Sequence, residues 1–214
     1  MPELANFSGL AQPSGWACPR LVVIPESRAE RALPGAFWGL ATTPFGVCHL
    51  GWCDRGIFHL AFLESFAEGD TVPLRGGRWQ PLPPRDDAAA LTLAHKIFGQ
   101  TGPENTRFEV CLSGSAFQIN VWRALCDIPV GQVARYGEIA AAIGAPRAAR
   151  AVGAACGANP VAYLVPCHRV IGQSGQLTGY RWGIETKRRL LAWEISEKSA
   201  AAGMGNSHSN QGKP

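Results

Sequence analysis

Tyr136-Gly137-Glu138-Ile139-Ala140-Ala141-Ala142-Ile143, then Gly144-Ala145-Pro146, then Arg147-Ala148-Ala149-Arg150-Ala151-Val152, is the stretch that decides the fold of the second half of the chain. Ile139 and Ile143 fall four apart, on one face of a short helix. Gly144-Ala145-Pro146 stops that helix and starts the next, which the sequence predicts from Arg147 to about Ala158. Two short helices around a tight glycine turn have the helix-turn-helix shape. Along the second helix Arg147, Arg150, Ala151 and Ala154 share one side. Two arginines over a floor of small residues, Gly153 and Gly157 among them, give charge without bulk. Such a face can approach another surface closely. An ordinary Ala-rich helix packed on a neighbour would read the same way, so both readings stay open here.

Outward from this pair, Ser115-x-x-Gln118 is a capping-box pattern, followed by Phe117, Val121 and Leu125 at helical spacing. A final helix is predicted from Ile184 to about Ile195, and the Ser, Ala, Gly and Asn after Lys198 predict a disordered tail. The first half has a different rhythm. Residues 36–66 read as a β-meander, with turns at Thr43-Pro44-Phe45-Gly46 and Asp54-Arg55-Gly56. Residues 72–86 read as loop, Asp86 to Phe98 as a helix, and Thr106 to Leu112 as a strand. Residues 1–34 show no period. The expected organisation is an extension (1–34), a β-rich domain (35–112), a helical domain (113–197) and a tail (198–214), an α+β chain.

A chain of 214 residues, 46% of them apolar, can bury a core. No stretch approaches the roughly 20 apolar residues of a membrane helix, so no membrane association is expected. Met1 to Leu10 carry no export signal, and seven cysteines without a repeated spacing predict reduced thiols in the cytoplasm, or the nucleus of a eukaryote. The net charge is +4. Residues 115–197 hold nine Arg or Lys against five Asp or Glu, and the rest of the chain balances. A local positive field suits a polyanion such as DNA, and equally a merely soluble surface.

Chemistry concentrates where the apolar run Val161-Ala162-Tyr163-Leu164-Val165 ends in Pro166-Cys167-His168-Arg169-Val170. A thiol beside an imidazole and a guanidinium is a candidate nucleophile, because the thiolate is the reactive form. The usual fate of a free cysteine is burial as a small hydrophobe, and Pro166 and Arg169 raise the reactive reading above it. Read as an extended segment, the two neighbours point to opposite sides, so a bridging water is expected between them. Glu194 shares a helix face with Leu190 and Leu191. A carboxylate on an apolar face needs a partner, and His168 would serve; fraying into solvent is the alternative. Cys48, His49, Cys53 and His59 invite a zinc reading. An odd separation puts Cys48 and Cys53 on opposite strand faces, and the spacing fits no common zinc pattern, so no metal is expected.

With these residues in place, the second half resembles the O6-alkylguanine-DNA alkyltransferases, the methylated-DNA–protein-cysteine methyltransferases. The matching segments are Phe117-Gln118-x-x-Val121-Trp122-x-Ala124-Leu125, Ile128-Pro129-x-Gly131, Tyr136, Arg150-Ala151-Val152-Gly153, Asn159-Pro160, Pro166-Cys167-His168-Arg169-Val170, Gly179-Tyr180 and Lys187-x-x-Leu190-Leu191-x-x-Glu194. The resemblance implies an N-terminal ribonuclease-H-like sheet domain followed by a helical domain with a winged helix-turn-helix. It implies a cofactor-free, monomeric protein that binds double-stranded DNA through the minor groove. It flips out an O6-alkylguanine, and also takes O4-alkylthymine, and moves the alkyl group irreversibly to Cys167. In that pattern Glu194 orients His168, which draws the thiol proton through a water. Tyr136 contacts the leaving base and Asn159 holds the turn under the active segment. Arg150 enters the base stack, with Arg147, Ala151, Gly153, Gly137 and Gln173 also at the DNA. Val170, Tyr180, Arg181 and Trp182 surround the substrate. Arg181-Trp182 is similar to the form in bacterial adaptive-response regulators, and an indole there is expected to disfavour bulky O6 groups. Residues 1–34 are too short for those regulators' further domains, so self-activation of transcription is not expected. A non-catalytic lesion binder, a thiol hydrolase and a plain DNA-binding regulator are the competing expectations.

Overall fold

The computed structural model describes residues 19–23, 35–63, 83–98 and 108–204, the last eight of these by backbone alone. Five strands build the larger sheet: β1 (Arg20–Val23), β2 (Phe37–Thr43), β3 (Gly46–Cys53), β4 (Gly56–Phe62) and β5 (Glu109–Leu112), in the order β1-β5-β4-β3-β2. β2, β3 and β4 are the expected meander, turning where the sequence places its turns. β5 runs parallel to β4, with Ile57 opposite Val110. Gly56 is required at that junction: its φ is +126°, and a Cβ there would lie 2.3 Å from the Glu109 carbonyl oxygen.

β1 corrects the sequence reading, which left residues 1–34 as an extension. Four residues are too few for a period to register. Its pairing partner recruits it: Arg20 to Val23 run parallel to Glu109 to Leu112 at the sheet edge. The rest of 1–34, the predicted loop up to residue 82, and 99–107 lie outside the described residues apart from Pro19.

Helix α1 (Asp87–Phe98) starts where Asp86 Oδ1 accepts the Ala89 amide at 2.9 Å, an N-cap. It lies so close to β2 that a Cβ on Gly39 would meet Ala90 Cβ at 2.8 Å. Ala90, Ala94, Ile97 and Phe98 form its buried stripe. The second half is helical: α2 (Ala116–Cys126), α3 (Tyr136–Ala142), α4 (Ala149–Gly157) and α5 (Ile184–Met204), with a two-stranded parallel ladder of β6 (Ala134–Arg135) and β7 (Val170–Ile171). The capping box at Ser115 and Gln118 forms as predicted, with hydrogen bonds in both directions. Trp122 Nε1 on α2 donates to the Ala155 carbonyl on α4 at 3.0 Å. α4 begins at Ala149, two residues later than expected, because Pro146 and Arg147 stay in the turn. α5 runs past Lys198 to Met204, where a disordered tail is expected; Ala200 to Ala202 are strong helix formers and prolong it. The rest of the tail, 205–214, lies outside the described residues.

One apolar core joins the halves. It holds Phe45, Leu50 and Leu60 of the sheet side together with Val121, Leu125, Val161 to Val165 and Leu190. The sheet also continues across the junction: Leu60 N–H donates to the Pro160 carbonyl at 3.1 Å, and Ala162 N–H to the Leu60 carbonyl at 2.8 Å. The backbone of β4 is therefore bonded to the segment that leads into Cys167.

Candidate active site

The segment between Asn159 and Val170 is coiled, where the sequence suggested an extended run. Leu164 N–H bonds the Ala162 carbonyl at 2.7 Å and Cys167 N–H the Val165 carbonyl at 2.8 Å, two tight three-residue turns. Tyr163, between the first pair, has φ +64°, a left-handed conformation costly for a side chain with a Cβ. Cys167–Arg169 is one turn of 3₁₀ helix, closed by Arg169 N–H on the Pro166 carbonyl at 3.0 Å. At three residues per turn, Cys167 and His168 splay about a third of a turn apart instead of to opposite faces. The physical reason is Asn159. Its side chain is buried, Oδ1 accepts the Val161 amide at 2.9 Å, and Nδ2 donates to the Val165 carbonyl at 2.8 Å, which pulls an apolar run into a loop.

The same Nδ2 lies 3.2 Å from Cys167 Sγ. Cys167 is 5% exposed, and burial pushes its thiol up to about 11, against the opposing pull of Asn159 and the positive Lys187. At rest the sulfur is a protonated thiol, so the reaction needs a base. His168 is fully buried, and burial holds its imidazole below the ordinary value despite Glu194. Its Nε2 lies 2.8 Å from Glu194 Oε1. Its Nδ1 is buried with no hydrogen-bond partner among the described residues. A neutral ring that donates Nε2–H to a carboxylate keeps a free lone pair on Nδ1. Glu194 stays ionised: burial opposes this, but Arg169 and His168 together hold it down at about 2. Arg169 Nε is 3.1 Å from both carboxylate oxygens, Nη2 is 2.7 Å from Oε1, and the Gly131 amide donates to Oε2 at 3.2 Å. Of the two readings of Glu194, the structure selects the buried partner of His168.

Arg169, Lys187 and Tyr163 belong to the arrangement and are absent from the site residues read out of the sequence. Arg169 also reaches the Ile128 carbonyl at 2.5 Å. Lys187 is buried and donates Nζ–H to the Val170 carbonyl at 2.5 Å and the Thr178 carbonyl at 2.9 Å, placing a positive charge beside Cys167. A signal existed: Lys187 precedes Glu194 by seven residues, two helical turns, on the same face of α5. The Tyr163 ring stacks on His168 with centroids 5.8 Å apart and planes 13° apart. No sequence pattern announces that contact, because it depends on the left-handed turn.

Around this centre, Tyr136 is half-buried beside Thr178, and burial raises its phenol pKa. Tyr180 Oη is buried with no hydrogen-bond partner among the described residues, and Val170 is fully buried. Trp182 is buried too, but its indole packs edge-on against Phe62 of β4 at 6.5 Å and against Tyr180 at 5.1 Å. Arg181 is exposed, its guanidinium 5.9 Å from that indole. Arg147, Arg150, Ala151 and Gln173 are exposed, and a Cβ added to Gly153 would come within 3.7 Å of the Tyr136 ring. Gly137 has open space where a Cβ would go. The four residues of the zinc reading divide: Cys48 lies in the main core and Cys53 in a separate small cluster. His49 and His59 form an edge-on pair, 4.8 Å between centroids.

Residues 116–196 match the family model for the DNA-binding domain of 6-O-methylguanine DNA methyltransferase. The methylated-DNA–protein-cysteine methyltransferase of Mycobacterium tuberculosis (strain ATCC 25618 / H37Rv) is 59% identical over 160 residues, 74% of this chain and 92% of that protein. The regulatory protein ada of Salmonella typhimurium is 51% identical over 169 residues, which are 75% of this chain and 46% of that longer protein. Among solved structures, Mycobacterium tuberculosis OGT in complex with DNA superposes with a TM-score of 0.61 at 39% identity, over 75% of this chain and 94% of that one.

Proposed function

The chain belongs to the methylated-DNA–protein-cysteine methyltransferase family, and we propose that it repairs alkylated DNA by taking the alkyl group of O6-alkylguanine onto its own Cys167. The observation that carries this reading is the linked set Asn159–Cys167 and His168–Glu194, a buried thiol beside a neutral imidazole whose tautomer a carboxylate fixes.

The steps follow from these groups. The O6 substituent is out of reach inside a duplex, so the nucleotide is flipped out, and Arg150 on the exposed face of α4 fills the vacated stack. Arg147, Ala151, Gly153, Gly137 and Gln173 make up the rest of the surface that enters the minor groove. His168 Nδ1 takes the Cys167 proton through a water, and Lys187 stabilises the thiolate as it forms. The thiolate attacks the alkyl carbon in a direct displacement: a C–S bond forms, the C–O6 bond breaks, and the electron pair stays on guanine. Tyr136 hydrogen-bonds the leaving base at N3. Tyr180, Arg181 and Trp182 form the loop over the substrate, and the backbone around Val170 reads the guanine edge. O4-alkylthymine presents the same alkyl–oxygen bond and is a second substrate. The thioether has no thiolate and no route back, so each molecule acts once, as a monomer, on DNA in the cytoplasm. The mixed sheet with its three-strand meander supports a ribonuclease-H-like assignment for residues 35–112. The α3–α4 pair with the β6–β7 ladder supports a winged helix-turn-helix within 113–197.

Intact mass after incubation with an O6-methylguanine oligonucleotide tests the reading. One added methyl group should map to Cys167, with none on Cys167→Ser. Binding without mass change would make the protein a non-catalytic lesion binder, and repeated turnover would make it a hydrolase.

A further inference from the structure

Two other cysteines share one small cluster at the β3–β4 turn of the sheet. Cys53 closes β3, beside the exposed turn of Asp54 and Arg55, and Cys111 lies in β5. Cys111 Sγ is 3.2 Å from the Arg55 carbonyl oxygen and Cys53 Sγ is 3.6 Å from the Gly56 carbonyl oxygen, so the β3–β4 turn fixes both. They share a small cluster with Ala36 and Phe58, separate from the core that holds Cys48, Cys156 and Cys167.

We propose that Cys53 and Cys111 form a dithiol that hydroperoxides oxidise to an intramolecular disulfide, a modification site separate from the alkyl acceptor. The site uses two features that the chain's other described cysteines lack together: a second cysteine in the same small cluster, its thiol held on the adjacent carbonyl of the same turn, and a position at a strand end beside the exposed residues Asp54 and Arg55. The neighbouring Cys111 thiol also holds the Cys53 thiol below its ordinary pKa, which favours the thiolate. Cys167 differs in both respects, since its thiol is raised to about 11 and its polar neighbour is Asn159.

The chemistry balances in two steps. The Cys53 thiolate attacks one peroxide oxygen, the O–O bond breaks, and the leaving oxygen departs as an alcohol, or as water from hydrogen peroxide, after taking up a proton. Cys53 is then a sulfenic acid. The Cys111 sulfur attacks it, the S–S bond forms, and hydroxide leaves with the Cys111 proton as water. Two thiols are oxidised by two electrons, and one hydroperoxide is reduced.

The test treats the full-length protein with hydrogen peroxide and reads intact mass and a non-reducing peptide map. The expected product has lost two hydrogens, joins the Cys53 and Cys111 peptides, reverts with dithiothreitol, and still methylates Cys167 on O6-methylguanine DNA. Cys53→Ala and Cys111→Ala should each abolish the crosslink and transfer alkyl groups at the wild-type rate. Stepwise addition of oxygen to Cys53 without a crosslink, or oxidation of Cys167 before the pair, would overturn the proposal. If either variant fails to fold, the wild-type peptide map alone decides.

Discussion

His168 uses its two ring nitrogens for different tasks. Nε2 is committed to Glu194 at 2.8 Å, while Nδ1 is left with its lone pair. Burial holds the ring below its ordinary value of 6.5, which favours the neutral base. Cys167 contributes the opposite constraint: at about 11 its thiol rarely ionises unaided near neutral pH. If His168 is the base, the rate constant of methyl transfer should be level from mildly alkaline pH down through 6.5 and fall only in more acid buffer. Single-turnover rates on an O6-methylguanine duplex, measured across that range, check this. A rate that instead climbs in proportion to hydroxide would mean that the thiol ionises without His168.

At the scale of the element, α4 is the exposed arm and the Asn159–Val170 loop is the fixed one. Arg150 is exposed on α4, and its proposed task is to replace the extruded base. Arg150→Ala should therefore slow repair of duplex DNA by well over tenfold, while attack on free O6-alkylguanine base changes little, since that reaction needs no extrusion. Equal losses on both substrates would remove Arg150 from base flipping. The helices of this half were legible because their signals are local: the Ser115–Gln118 box, the Ile139–Ile143 spacing and the Gly144–Pro146 stop all act within a turn or two. The loop was not. Its apolar residues imitate a strand, and its shape comes from the Asn159 side chain and a left-handed Tyr163. Arg169 and Lys187 were half-legible, as members of a motif without a partner. Their partners stand 25 and 17 residues away, and only the folded chain joins them. β1 went unread for the same reason, since its partner β5 is nearly 90 residues downstream.

Across the whole molecule, the sheet and the active loop are joined by backbone hydrogen bonds and one apolar core. Trp182 carries part of that connection, buried between Phe62 and Tyr180. Trp182→Gly should cost about 3–5 kcal/mol of stability, as deletion of a buried aromatic side chain does, and should speed inactivation by O6-benzylguanine. Urea unfolding and inactivation kinetics read the two effects; equal inactivation of both proteins would show that the indole does not limit bulky adducts. The sheet also adds to the response to acid, alongside His168, whose ring burial likewise holds below 6.5. His49 and His59 are packed edge-on on β3 and β4, with Arg85 acting on the first and Arg181 on the second. Burial lowers His49 to about 4 and His59 to about 3, from an ordinary 6.5. The unfolded chain therefore takes up protons below pH 6.5 that the native state refuses until pH 3–4, and stability falls across that window. Each of these two histidines contributes a slope of about 1.4 kcal/mol per pH unit, so the pair accounts for roughly 4 kcal/mol lost between neutrality and pH 5. Glu194, held at about 2 against an ordinary 4.5, adds stability above pH 4.5 that is lost only below it, so the histidines act first. The urea midpoint should decline steadily from pH 6.5 to pH 5, and His59→Phe should reduce that slope by about one proton. A flat midpoint across the interval would mean that the two imidazoles are protonated, or reached by water, in the native protein.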